Sequence, residues 1–196
     1  MYLPEFNLVL AQAMLDEIEH YVITSELYWP MSMKAPVGMP PFPRFTPGAL
    51  LLTLDQLEAQ LDELTPLQAN AYQLIKLESA RMLNKWPVAL ERKATQELRS
   101  RLNLWQAYLI DLEERNDTPG NYVREVRNRV IFERISDLAA RQAEAKTYIE
   151  AMPSVDSRLR AFFDPGDFIW DPRLRTIYPT PTYWFLYGTP KIQLKE

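Results

Sequence analysis

The chain has 196 residues, of which 47% are hydrophobic and 24% charged, with a formal net charge of −4 and no cysteine. This length suits a single domain, over residues 1–196, with a core that needs no metal or disulfide to support it. The lack of cysteine excludes disulfides, thiolate catalysis and cysteine-ligated zinc or iron–sulfur sites, and it fits a reducing cytoplasm.

The charges are unevenly distributed along the chain. Residues 1–64 hold nine acidic and two basic side chains, whereas residues 65–196 are mildly basic, with Arg and Glu interleaved. Interleaved charges favour ion pairs over a nucleic-acid surface. No apolar run approaches the ~20 residues of a membrane span, and the first residues lack the basic region of a signal peptide. We therefore expect a cytoplasmic protein that binds no membrane, and we do not favour nucleic acid as its partner.

Apolar residues at helical spacing predict three helices in the first half of the chain, over about residues 4–28, 48–63 and 66–84. The start of the third, Thr65-Pro66-Leu67-Gln68, is typical of a capping box with Pro at the first helical position. Between the first two helices, residues 30–47 contain six Pro and predict a Pro-, Met- and aromatic-rich loop that lies flat on the bundle. The residues of the third helix that we expect to point inward are Leu67, Ala71, Leu74, Ile75 and Met82.

A long antiparallel helical hairpin is predicted over about residues 87–151. Its first arm covers 87–115, the Asn116–Gly120 stretch forms the turn, and the second arm is about 50 Å long. Trp105 and Tyr108 are large residues in the seam of this hairpin, which a small domain has little means to cover. We therefore expect a homo-oligomer that associates through the hairpin, or an unidentified protein partner.

Three arginines, Arg127, Arg134 and Arg141, are spaced seven apart on the predicted second arm and so share one helix face. Acidic residues one turn away neutralise much of this face. We interpret the three arginines, together with Trp105 and Tyr108, as an interaction surface. A ridge that binds phosphate or nucleic acid is the alternative.

Residues 153–196 are predicted to form an aromatic, Pro-rich extension that packs on the bundle. Its two aromatic segments, 168–170 and 183–187, are either extended or paired as a small β-hairpin. The extension begins with a doubled phrase, because Asp156-Ser-Arg158-Leu159-Arg160 recurs fifteen residues later as Asp171-Pro-Arg173-Leu174-Arg175.

This doubled phrase has two interpretations. In the first, each Asp begins or caps a turn, each Leu points inward, and the arginines lie on the surface or pair with nearby acids. In the second, four arginines form a clamp for an anionic ligand. We favour the first and keep the second as the ligand-binding hypothesis, whose residues are Arg158, Arg160, Arg173 and Arg175.

The sequence offers no recognisable catalytic or cofactor site. His20 is the only histidine, so the pair Glu17-x-x-His20 cannot be doubled as a helical di-iron site requires. The five glycines form neither a phosphate-binding loop nor a nucleophile elbow. We therefore predict no catalytic residue, no metal and no cofactor.

The predicted fold class is mainly α, a bundle of about five helices. The function that we favour is a non-enzymatic structural or protein-interaction module. Two alternatives stay open: a binder of an anionic ligand or nucleic acid that uses the C-terminal arginines, and an enzyme with an unrecognised carboxylate site.

Overall fold

Helices dominate the part of the chain that the computed structural model describes, residues 3–115 and 121–191. Within these ranges there are six helices and two antiparallel strands, so the mainly α fold class and the small C-terminal β-hairpin are confirmed. The elements are α1 (Pro4–Ile23), α2 (Pro47–Glu58), α3 (Pro66–Lys85), α4 (Pro87–Arg115), α5 (Tyr122–Ala139), α6 (Ala143–Arg160), β1 (Phe163–Phe168) and β2 (Tyr187–Pro190).

The chain divides into two compact units, Met1–Glu97 and Leu98–Glu196. The first contains α1, α2 and α3, the second contains α5, α6 and both strands, and α4 contributes residues to each. The single helical domain expected from the chain length stays a prediction.

Helix α1 is the centre of the first unit, where it packs against both α2 and α3. Apolar residues recur around most of its circumference, and eleven of its twenty residues are buried. A helix that is apolar on several sides needs neighbours on several sides. The aromatic ring of Tyr21, near its end, packs 4.5 Å from that of Phe45, measured between ring centres.

The loop between α1 and α2 packs several of its apolar residues against the core of this unit. Trp29 and Phe45 exchange backbone hydrogen bonds of 3.1 and 2.9 Å at its two ends. In between, the Glu17 carboxylate accepts hydrogen bonds from the Trp29 indole and from the backbone N–H of Ser32. Side-chain contacts from α1 therefore order a segment that has no regular structure of its own.

Caps set the ends of the helices in this unit. The predicted capping box is confirmed, because Thr65 and Gln68 satisfy each other's backbone N–H groups at the start of α3. Helix α1 ends at Ile23, five residues earlier than expected, where Thr24 turns extended and its hydroxyl donates to the Tyr21 carbonyl at 3.0 Å. Helix α2 also ends early, at Glu58, and a short 3₁₀ turn follows.

In the second unit, α4 and α5 lie side by side with opposite directions. The Trp105 and Tyr108 rings of α4 lie 6.2 and 6.4 Å from that of Tyr122, at the start of α5. Arg101, one to two turns earlier on α4, donates to Asn128 later on α5 at 3.0 Å. The two arms of the predicted hairpin are thus packed against each other. The predicted turn at Asn116–Gly120 lies outside the described residues.

The predicted second arm is not one helix, and this corrects the helix count from five to six. Helix α5 ends at Ala139, Gln142 is extended, and α6 then runs back from Ala143 to Arg160, through Pro153. No Pro or Gly marks the break. Folding back lets α5 and α6 bury their apolar sides against each other, which one 50 Å helix could not do.

The C-terminal extension packs on α5. The Tyr122 hydroxyl donates to the Phe185 carbonyl at 2.6 Å, and the Trp170 indole donates to the Val123 carbonyl at 2.9 Å. The strands of the hairpin differ from the predicted segments 168–170 and 183–187, because β1 already begins at Phe163 and β2 begins only at Tyr187.

Candidate functional site

The first Asp of the doubled phrase, Asp156, lies inside α6 and caps nothing, which corrects the first interpretation at this position. Its carboxylate accepts three hydrogen bonds of 3.0–3.1 Å from the Arg129 guanidinium of α5. Both side chains are more than 90% buried. Burial alone lowers the pKa of Arg129, but the Asp156 and Glu133 carboxylates outweigh it and hold that pKa above its ordinary value.

The second Asp does act as a cap. Asp171 begins a 3₁₀ turn over Pro172–Thr176 and accepts from the backbone N–H of Arg173 at 3.1 Å. The Arg173 guanidinium also bonds this carboxylate, and these contacts lower the pKa of Asp171 to about 2. In both copies of the phrase the central leucine, Leu159 or Leu174, is buried. The doubled sequence therefore forms two different local structures.

The four arginines of the clamp hypothesis have different surroundings. Arg158 forms a two-armed ion pair with Glu113 of α4, and Arg173 pairs with Asp171. Arg175 is exposed, and its backbone carbonyl oxygen lies 3.5 Å from the Tyr187 hydroxyl oxygen. Arg160 is also exposed, and its guanidinium lies 3.7 Å from the centre of the Trp184 ring.

Arg160 also lines a pocket of about 310 Å³ in the second unit, to which residues of both strands contribute. The other lining residues are mainly aromatic or apolar, and the Trp184 ring meets that of Phe163 edge-on at 5.1 Å. Among the described residues, no carboxylate lies within ion-pair distance of Arg160. The residues that line the pocket are Arg160, Phe163, Pro165, Thr180, Trp184 and Tyr187.

The residues that we assigned to an interaction surface do not form one continuous patch. Trp105 is 0% exposed and Tyr108 is 8% exposed, so both lie in the core of the second unit. Arg127 and Arg134 are half-buried on α5, but Arg141 lies beyond the end of that helix. The reason given for association through the hairpin is therefore lost, because the chain itself covers the two aromatic residues.

A different apolar surface is present on α3. Leu67, Leu74 and Leu77 are 80%, 67% and 69% exposed, whereas Tyr72 and Ile75 face the core. The expectation that Leu67 and Leu74 point inward is wrong. This helix has two apolar stripes, and its own periodicity cannot tell which one the rest of the unit will cover. The stripe with Tyr72 and Ile75 is covered by α1 and by neighbouring residues.

The buried charged side chains Lys93 and Glu97 of the first unit form contacts that stabilise the fold. Lys93 is 0% exposed, donates to the Glu26 carbonyl and lies 4.2 Å above the Tyr21 ring. Glu97, also fully buried, accepts from the Thr46 hydroxyl and the Gly48 N–H at the start of α2, each at 2.7 Å. Substrate has no access to groups buried to this extent.

His20 is exposed at the end of α1, while the Glu17 carboxylate is engaged with the loop. No three His, Asp or Glu side chains within residues 3–115 and 121–191 are grouped so that they could hold a metal ion. None of the helices in these ranges is both long and apolar enough to cross a bilayer.

No protein-family model matches the chain, and no curated protein or solved structure matches it either. Without a match, a function has to be argued from the structure itself. The two features used for this are the leucine stripe of α3 and the pocket beside Arg160.

Proposed function

We propose that this chain is a non-enzymatic, cytoplasmic protein-interaction module that pairs with a second copy of itself through α3. The observation that carries the proposal is the row of exposed leucines, Leu67, Leu74 and Leu77, which follow the seven- and three-residue spacing of a helix–helix seam. Exposed apolar rows of this kind mark interaction sites in proteins more often than scattered apolar residues do.

A second copy fits this surface because the stripe is complementary to itself. When two α3 helices run in opposite directions, Leu74 of each copy lies across from Leu77 of the other, and Asn70 lies across from Arg81. Arg81 is already paired with Glu78 on its own helix at 2.7 Å, so the stripe is neutral. A neutral leucine stripe favours an apolar partner over a strongly charged one.

The size of the surface sets the strength of the association that we expect. A helix of 20 residues is about 30 Å long, and a strip about 10 Å wide along it covers a few hundred Å². Stable dimers bury about 800 Å² on each partner. We therefore expect a weak dimer, with a dissociation constant on the order of 100 µM.

Sedimentation velocity from about 10 µM to about 1 mM tests this proposal. The parent chain should shift from the monomer mass of 23.0 kDa towards twice that mass as concentration rises. The double variant Leu74→Gln/Leu77→Gln should stay monomeric, because Gln keeps helix propensity and removes the apolar contact.

The matched control is Ile23→Gln/Val88→Gln, which removes two residues of the same unit that are each 71% exposed and lie off the stripe. This control should dimerise like the parent chain. A parent chain that stays monomeric throughout, or a dimer that survives the α3 double variant, contradicts the proposal.

A further inference from the structure

The pocket beside Arg160 combines one cation with several aromatic walls. Phe163 and Pro165 of β1 line it together with Trp184 and Tyr187. The Tyr187 hydroxyl donates to the Tyr178 carbonyl at 2.9 Å, so its hydrogen-bonding end is engaged and its ring is what the pocket offers. Apart from the Thr180 side chain and the arginine, the pocket is therefore an apolar slot of about 310 Å³.

Stacking on Trp184 holds Arg160 in an orientation that suits a carboxylate. With its Cζ over the indole ring, 3.7 Å from the ring centre, the guanidinium keeps its edge N–H groups for another partner. These N–H groups match the two oxygens of a carboxylate or phosphate. The indole also replaces part of the water around the cation, which reduces the cost of binding an anion there.

The acidic groups nearby do not occupy this arginine. Asp164 lies between Phe163 and Pro165 on β1, so strand alternation places it on the opposite face from those two lining residues. Its carboxylate is 3.7 Å from the Lys191 ammonium. Arg158, two positions before Arg160, has Glu113 as its partner. Within residues 3–115 and 121–191, no acidic side chain therefore neutralises the positive charge of Arg160.

The position of Arg160 favours a singly charged ligand. It is the last residue of α6, where the helix dipole presents its negative end. A phosphate, with about two negative charges, is repelled there more than a carboxylate, and phosphate sites usually combine several cations or a helix N-terminus. The volume is at the lower limit of ligand pockets, which run from about 300 Å³, so it suits one ring system.

We propose that this pocket binds a ligand in which an aromatic ring carries a carboxylate, with the ring against the apolar lining that includes Phe163, Pro165 and Tyr187 and the carboxylate on Arg160. Such chemistry occurs in free aromatic acids and in the C-terminal residue of a peptide that ends in an aromatic amino acid. Residues of α3 do not line the pocket, so this site can fail or succeed independently of self-association.

Calorimetric titration with matched probes tests the site. 2-Naphthoate should bind the full chain, and the Arg160→Gln variant should bind it at least tenfold more weakly. 2-Naphthamide, which has the same ring without the charge, should be weaker than 2-naphthoate by a similar factor. 2-Naphthyl phosphate should bind no more tightly than 2-naphthoate. The peptide acetyl-Gly-Gly-Phe and its C-terminal amide then distinguish a peptide end from a free acid.

Arg175→Gln is the control, because it removes the same charge from an exposed position that does not line the pocket. It should bind 2-naphthoate like the parent chain, whereas a four-arginine clamp would lose affinity in both variants. Far-UV circular dichroism of Arg160→Gln checks that the fold is intact. The proposal is overturned if the naphthamide binds as well as the naphthoate, if Arg160→Gln is without effect, or if no probe binds.

Discussion

Replacing Asp156 with Ala should be among the most damaging single changes to the second unit. The variant removes the carboxylate that accepts three hydrogen bonds from Arg129 and leaves that guanidinium buried, with 7% of its side chain exposed. It also removes an acceptor 3.4 Å from the Trp105 indole nitrogen. The Arg129 guanidinium cannot easily move into solvent, because it lies in the core, 4.6 Å from the centre of the Phe185 ring.

The structure sets the size of this effect. Removing one partner of a buried ion pair costs about 3–5 kcal/mol of unfolding free energy. Arg129 would retain Glu133, at 2.8 Å, whose side chain is 32% exposed. Because one carboxylate remains, we expect the lower end of the range, about 3 kcal/mol.

Urea unfolding followed by circular dichroism measures this loss. With an m-value of about 2 kcal/mol/M, a loss of about 3 kcal/mol lowers the midpoint by about 1.5 M. The control is Glu113→Ala, which removes the partner of Arg158 from a pair whose side chains are each about one-third exposed. Exposed pairs of this kind are worth about 0–1 kcal/mol.

A double variant distinguishes the cost of leaving a buried charge without a partner from the cost of losing side-chain volume. Arg129→Met/Asp156→Leu replaces both charges with apolar side chains and should be far more stable than Asp156→Ala, since no charge is left buried without its partner. If Asp156→Ala costs no more than Glu113→Ala, the buried pair is not what joins α5 to α6, and the reasoning fails.

Two further predictions concern groups that were not singled out in the sequence. Burial, followed by the nearby Arg92, lowers the pKa of Lys93 to about 8, so between about pH 8 and about pH 10 the unfolded chain binds more protons than the folded one. Urea titrations should therefore show that the unfolding free energy of the parent chain, relative to that of Lys93→Met, rises with pH across this window. A difference between the two that does not change with pH would contradict the prediction. Gly188→Ala should destabilise the chain by about 1–3 kcal/mol, because its φ of +136° suits glycine and a Cβ would lie 2.2 Å from the Asp164 carbonyl oxygen. Gly166→Ala, whose Cβ would meet only the Gly188 Cα at 3.8 Å, should lower the urea midpoint far less, and equal losses would show that the close approach is unimportant.

Features that depend on a few neighbouring residues were predictable. The capping box at Thr65 and the cap at Asp171 each form within four residues of chain, so their hydrogen bonds are available to the local sequence whatever the rest does. The mainly α class and the packing of α4 on α5 follow from long apolar periodicities, which record the face that a helix must bury. The irregular connection between α1 and α2 was predictable for a similar local reason, because its prolines exclude a helix.

Choices between equivalent local patterns were not predictable. α3 carries two apolar stripes, and the position of α1 decides that Tyr72 and Ile75 are covered while Leu67 and Leu74 are not. The candidate pocket also depends on residues that are far apart in the sequence. The doubled phrase contains four arginines that the sequence does not distinguish. Arg160 differs from the others because Trp184, 24 positions later, packs against it beside an apolar slot.

The sequence by itself therefore determined the class of the fold, most helix starts and the local caps, since these depend on bonds between near neighbours. Only the tertiary structure decided the break between α5 and α6 and the role of Asp156, which differs from that of Asp171 in an almost identical phrase. The physical reason is that burial of a charge depends on its partner, and the partner of Asp156 is 27 residues away on another helix.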